Sequence, residues 1–138
     1  MRRSILTALF ALGLLGCNRP PGSDDEARFI TSTGTFKLFG GQMTVSVLET
    51  QNGGINYTVT RGTSMAGPTD PLIRKGSAWL IYAASPDAVW MHDGETNVLL
   101  IELSDKGDSR FTSIGVVPDL LQRAPPAFVD RLPSDMKK

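Results

Sequence analysis

The sequence predicts a mainly β domain, built as a single antiparallel sheet, a sandwich or an open barrel of about six or seven strands, with short C-terminal helical turns. Three observations predict it. From Phe29 onward the chain runs in short segments rich in β-branched and aromatic residues, separated by Gly, Asn, Asp and Pro. Strands joined by turns read this way. Two neighbouring segments alternate apolar and polar side chains around Gln51-Asn52-Gly53-Gly54, the pattern of a hairpin with one wet face. A later segment, Val98 to Leu103, is apolar on both faces except at Glu102, and such a strand must be covered on both sides.

Taken in order, Thr44 to Thr50 sets Val45 and Val47 on one face and Thr44, Ser46 and Thr50 on the other. Ile55 to Thr60 repeats this, with Ile55, Tyr57 and Val59 pointing one way and Asn56, Thr58 and Thr60 the other. The Asn-Gly pair between them tolerates the positive φ of a tight turn, and the polar face is expected to meet water. Gly62 to Gly76 holds three glycines and two prolines without steady periodicity and reads as a long loop. Loops of that length are uncommon unless functional or disordered. Strands are then expected at Ala78 to Ala83, Ala88 to His92 and Val98 to Leu103, separated by turns at Ser85-Pro86-Asp87 and Asp93-Gly94-Glu95-Thr96. After a further turn at Asp105-Lys106-Gly107-Asp108, Arg110 to Val117 returns as a final strand. At the C-terminus, Pro118 and Asp119 suit the start of a helix, and Leu120, Ala124, Phe128 and Leu132 recur every four residues. Pro125 and Pro126 divide that stretch. Two short helical turns laid across the sheet would cover its second face.

The chemical inventory is sparse. His92 is the only histidine and precedes Asp93, so composition admits a small hydrolase using His92 with a carboxylate brought close by folding. There is no Gly-x-Ser-x-Gly turn, and neighbours on a strand point to opposite faces. His92 therefore reads as a polar strand-end residue. One histidine and one cysteine do not supply a zinc site, and Glu102, Asp105 and Asp108 lack the acidic alternation of an EF-hand loop. No nucleotide-binding glycine pattern occurs, and Phe39-Gly40-Gly41-Gln42 lies in the wrong context for one. No cofactor is expected. The aromatic residues suggest a candidate binding surface. Trp79, Tyr82 and Trp90 fall on adjacent strands, with Trp79 and Tyr82 on opposite faces, and Met65, Leu72 and Ile73 in the loop would add apolar contact. The alternative is that all three aromatics are packed in the core.

The N-terminus carries a different message. Arg2 and Arg3 precede an apolar run from Ile5 to Leu15, followed by Gly16 and Cys17. The run is about 11 residues, against roughly 20 for a permanent membrane span, and the order is that of an export signal. Leu14-Leu15-Gly16-Cys17 resembles the lipobox of bacterial lipoproteins. The resemblance implies that residues 1–16 are a signal peptide and that Cys17 takes a diacylglycerol and becomes the first residue of the mature chain. Cys17 is the sole cysteine, and a lone exported thiol without a disulfide partner is unusual, whereas lipidation uses it. The competing reading is an ordinary secretory signal in which Cys17 is incidental. Residues 17–28 then form a lipidated, breaker-rich tether, its acidic triplet Asp24-Asp25-Glu26 reading as a solvated spacer, and residues 29–138 the β domain. Among lipoproteins the residue after the cysteine influences sorting, and Asn18 in place of an Asp favours the outer membrane where there is one.

Loss of Arg2 and Arg3 leaves 12 of the 14 basic residues against 14 acidic ones. Such a balance gives no electrostatic reason to bind nucleic acid. The expected protein is a lipid-anchored envelope component presenting a non-catalytic β domain to a protein or glycan partner. A hydrolase built on His92 is one rival. The other is a stabilising subunit that pairs a long, uncharged sheet edge with a neighbouring strand.

Overall fold

The computed structural model describes residues 28–67, 73–104, 106–115 and 118–138. The signal, Cys17, the tether up to residue 27, Leu72, Asp105 and the last two residues of the expected final strand lie outside them.

The described chain is mainly β, as the sequence predicts, and it forms two five-stranded antiparallel sheets without barrel closure. Sheet A runs β1 (Phe29–Ile30), β7 (Leu80–Ser85), β8 (Ala88–His92), β9 (Val98–Leu103) and β10 (Ser109–Ser113). Sheet B runs β2 (Gly34–Leu38), β3 (Met43–Glu49), β4 (Gly54–Arg61) and β5 (Ser64–Ala66), with β6 (Ile73–Arg74) also paired to β4. The expected hairpin is β3–β4, with Val45 opposite Val59 and Val47 opposite Tyr57. Its turn is closed by Thr50, whose amide donates to the Gly54 carbonyl at 2.9 Å, and Gly53 takes φ +76° there.

Alternation explains the layering. Val45, Val47, Ile55, Tyr57 and Val59 from sheet B meet Ile81, Val89, Met91, Leu99 and Ile101 from sheet A in one buried cluster. The alternate apolar side chains of sheet A face away from this core. They form a second cluster, with Leu80, Tyr82, Trp90, Val98 and Leu100 packed beneath Leu120, Phe128 and Leu132. The C-terminal segment therefore covers the outer face of sheet A, as the two-sided apolar pattern of β9 requires. It does so as a 3₁₀ turn (Pro118–Arg123), helix α1 (Pro126–Arg131) and a second 3₁₀ turn (Ser134–Lys137). Pro126 opens α1, where the missing N–H costs nothing.

Three expectations change. Among the described residues ten strands form rather than about six or seven, because the short β1, β5 and β6 and the five-residue β2 pair as edges. Gly62 to Gly76 is not one continuous loop, since β5 and β6 dock at opposite ends of β4. Among the described residues the strand expected from Arg110 starts at Ser109 and ends at Ser113, with a turn at Ile114 and Gly115.

Across the outer face of sheet A, Phe29, Tyr82, Trp90, Leu100 and Thr112 occupy one cross-strand row. The Phe128 ring lies over its centre, 6.4 Å from Tyr82 and 5.8 Å from Trp90. Truncating Phe128 to alanine removes the ring that joins the third layer to the sheet. Its cost is about 3–5 kcal/mol, read as a lower urea midpoint with an early change in Trp90 fluorescence. Tyr57 behaves oppositely. Its hydroxyl is buried between the sheets without a hydrogen-bond partner among the described residues, and burial pushes its ionisation well above the usual phenol range. Tyr57→Phe deletes an unsatisfied group and is expected to leave stability unchanged or raise it in the same urea assay.

Candidate binding surface

The aromatic side chains expected to form a surface are interior. Trp79 joins the inter-sheet core, while Tyr82 and Trp90 lie under the C-terminal cover. Trp79 and Tyr82 do take opposite faces, as alternation requires, but both faces of sheet A are closed. Ile73 is also buried, because its pairing with Ile55 turns it inward. Met65 alone among these residues is open to solvent within the described set, at 65 % exposure. The proposed aromatic patch is thus replaced by core packing.

His92 is the last residue of β8, the polar strand-end position that the sequence indicates, and it is interior. It pairs with Leu80 and Val98 on the covered face and is only 1 % exposed. Its Nδ1 lies 3.1 Å from the Asn97 carbonyl, and Nε2 is enclosed without a partner among the described residues. The Asp93 carboxylate lies 3.8 Å from Nδ1, beyond hydrogen-bond length. Its oxygens are occupied elsewhere. Oδ1 accepts the amides of Glu95 and Asn97 at 2.8 and 3.0 Å, and Oδ2 accepts the Asn97 side-chain amide at 2.6 Å. The His-Asp pair therefore fastens the β8–β9 turn rather than facing a substrate. Gly94 completes that turn at φ +83°, and a Cβ there would stand 2.7 Å from the Ala78 backbone nitrogen. Sequence adjacency located the pair, but it gave no sign that the C-terminal segment would bury it.

Among the described residues, two regions present polar and charged side chains as surfaces for contact. The outer face of sheet B carries Thr44, Ser46, Thr58 and Thr60 from the central hairpin, all partly exposed, beside Met65. Thr35 and Ser46 pair their hydroxyls at 3.2 Å, and the Thr60 hydroxyl donates to the Thr44 carbonyl at 3.4 Å. No other described element covers this face, so its polar side meets water as expected.

The second place is an open groove of about 790 Å³ at one end of the sandwich, lined by Arg61, Asp87, Glu102, Lys106, Asp108 and Arg110 among others. Arg61 occupies an inward position of β4 at the sheet end and reaches the Leu103 carbonyl at 3.4 Å. Ser64 is buried beside it and donates its hydroxyl to the Ser104 carbonyl, so β5 is sewn to the end of β9. A smaller depression of about 370 Å³ separates the β3–β4 and β8–β9 turns, and an exposed Arg74–Glu95 ion pair at 3.3 Å stands at its rim. Among the described residues no three His, Cys, Asp or Glu side chains group to hold a metal, and no helix is long and apolar enough to cross a membrane. Asp105, one of the carboxylates weighed for calcium, lies outside the described residues.

The architecture defines a two-sheet β domain with a helical third layer and polar exposed surfaces. No family model, curated protein or solved structure matches the chain.

Burial favours the protonated form of Asp93, yet the hydrogen bonds from Glu95 and Asn97 and the pull of the His92 ring outweigh it and hold the carboxyl below its ordinary value. A carboxyl depressed on folding stabilises the protein above its unfolded value of about 3.9 and loses that contribution as pH falls through the folded value. Asp93→Ala is therefore expected to cost about 1–3 kcal/mol near neutral pH. The difference from the unmodified protein should shrink below about pH 4, as followed by urea unfolding across pH.

Proposed function

We propose that this protein is an exported lipoprotein, held to a membrane by lipid on Cys17, whose β domain binds a protein or other envelope component without catalysing a reaction. The observation that carries the reading is the order Arg2-Arg3, apolar run, Leu14-Leu15-Gly16-Cys17, in a chain with no other cysteine. Two attached acyl chains are enough for stable anchoring, at about 0.8 kcal/mol per buried CH₂. In an organism with two membranes, Asn18 favours the outer one.

The exposed surfaces support a binding role. The domain keeps a polar sheet face and a charged groove open, while its one histidine is sealed beneath the C-terminal cover. Proton transfer needs a group within hydrogen-bond reach of substrate, roughly 3 Å, and a ring with 1 % exposure does not offer that. The subunit reading anticipates a long, uncharged edge. Among the described residues the two longer edge strands are five residues each and carry a cation, Lys37 on β2 and Arg110 on β10, a known defence against unspecific strand pairing, while the other edges, β1, β5 and β6, are three residues or fewer.

Mass spectrometry of the mature N-terminus tests the anchor. The expected product begins at Cys17 with a diacylglycerol thioether, and Cys17→Ser blocks both modification and cleavage. A mature chain with a free Cys17 thiol, or one cut elsewhere, overturns it. Crosslinking in intact envelopes tests the binding role, and repeated recovery of the protein alone overturns that part.

A further inference from the structure

The exposed edge of sheet A identifies the kind of partner the domain accepts. In β10 the residues opposite β9 alternate between those bonded to it and those facing away. The Ile114 amide donates to the Val98 carbonyl at 3.0 Å and the Ser104 amide to the Asp108 carbonyl at 2.9 Å. The even-numbered residues 108 to 114 thus spend their backbone groups on β9. Ser109, Phe111 and Ser113 direct their N–H and C=O groups to the free edge.

Side chains on this edge continue two rows of the sheet that stop short. On the inner face Ala83, Val89, Ile101 and Phe111 stand in register. The first three are fully buried, while Phe111 is 46 % exposed because no described strand follows it. On the outer face Ala88, Glu102 and Arg110 form the next row, with Arg110 exposed at its end and lining the charged groove. A strand added antiparallel to β10 would place one residue against Phe111 and its neighbour against Arg110. The first completes an apolar row, and the second meets the cation with which the Ala88-Glu102-Arg110 row ends. Directly opposed unlike charges and aromatic–aliphatic pairs are each worth about 0.2–1 kcal/mol across strands.

We propose that the free edge of β10 is a docking site for an extended peptide segment in which apolar and acidic residues alternate, the apolar ones covering Phe111 and the acidic ones facing Arg110. This rests on reading the β domain as a binding module and names its partner's chemistry. Strand addition supplies affinity through main-chain hydrogen bonds and specificity through alternate side chains. Arg110 guards the edge against unspecific pairing and selects for a carboxylate.

The test uses the purified full-length protein in detergent and three short synthetic peptides: alternating Val and Glu, alternating Val and Lys, and a Val-Glu peptide of the same composition with like residues in blocks. The alternating Val-Glu peptide is expected to bind, slowing hydrogen exchange at Ser109, Phe111 and Ser113, while the other two bind at least about tenfold more weakly. Arg110→Glu should reverse the preference in favour of the Lys peptide. Ser113→Pro removes an outward-facing N–H without breaking a bond to β9, so it should abolish binding while leaving the unfolding midpoint close to that of the unmodified protein. Equal binding of blocked and alternating peptides, or undiminished binding by a folded Ser113→Pro protein, overturns the proposal. So does edge protection arising only from concentration-dependent self-association, which would make the occupant a second copy of the chain. None of these readouts depends on the state of Cys17, so failure of the anchor and failure of the docking site are separately visible.

Discussion

Sheet A is apolar on both faces, and this requirement governs the rest of the molecule. A strand such as β9 cannot leave either side in water, so one face is closed by sheet B and the other by the C-terminal segment. Roughly 25 cal/mol is gained per Å² of apolar surface removed from water. A central sheet buried twice is therefore the largest source of stability available to a domain of this size without disulfides. The same demand fixes what is left for contact with other molecules. With Trp79, Tyr82 and Trp90 committed to the two interfaces of sheet A, the exposed surface includes the hydroxyl-rich face of sheet B, the grooved end of the sandwich, the strand edges and the outer side of the C-terminal segment.

Much of this plan was legible in the sequence, and the parts that were not share a cause. The β3–β4 hairpin stood out because its alternation and its Asn-Gly turn agree. The two-sided pattern of β9 announced a second cover, and Leu120, Phe128 and Leu132 supplied it where their spacing indicated. The strands that escaped notice are short edges whose side-chain pattern is set by tertiary contacts. In β5 the usual pattern is inverted, with Ser64 buried and Met65 exposed, because the Ser64 hydroxyl finds a carbonyl acceptor at the end of β9. Burial of Tyr82 and Trp90 depended on how far the third layer extends, and that of Trp79 on the approach of sheet B, neither of which strand periodicity encodes.

His92 illustrates how adjacency in sequence and accessibility in space come apart. A histidine followed by an aspartate at a turn resembles the beginning of a catalytic arrangement. In the fold, Asp93 is drawn back to the amides of its own turn and His92 is turned beneath the cover. Both residues bond to Asn97 across the β8–β9 connection, and the Asp93 carbonyl accepts the Ser77 hydroxyl at 3.0 Å, which ties that connection to the Ser77–Ala78 segment.

The contact between the two ends of the domain has a mechanical meaning. Arg131 on α1 places its guanidinium 4.4 Å from the ring centre of Phe29, and Phe29 in turn stacks on Tyr82 at 4.5 Å. A pull arriving along the chain at residue 28 enters the domain through a strand of only two residues. That strand is pinned from above by the last helix as well as laterally by β7. Tension entering at residue 28 would be shared between the central sheet and its cover, and peeling β1 away would also loosen the layer that seals the aromatic row. The fold in this way clamps β1 between β7 at its side and α1 above it.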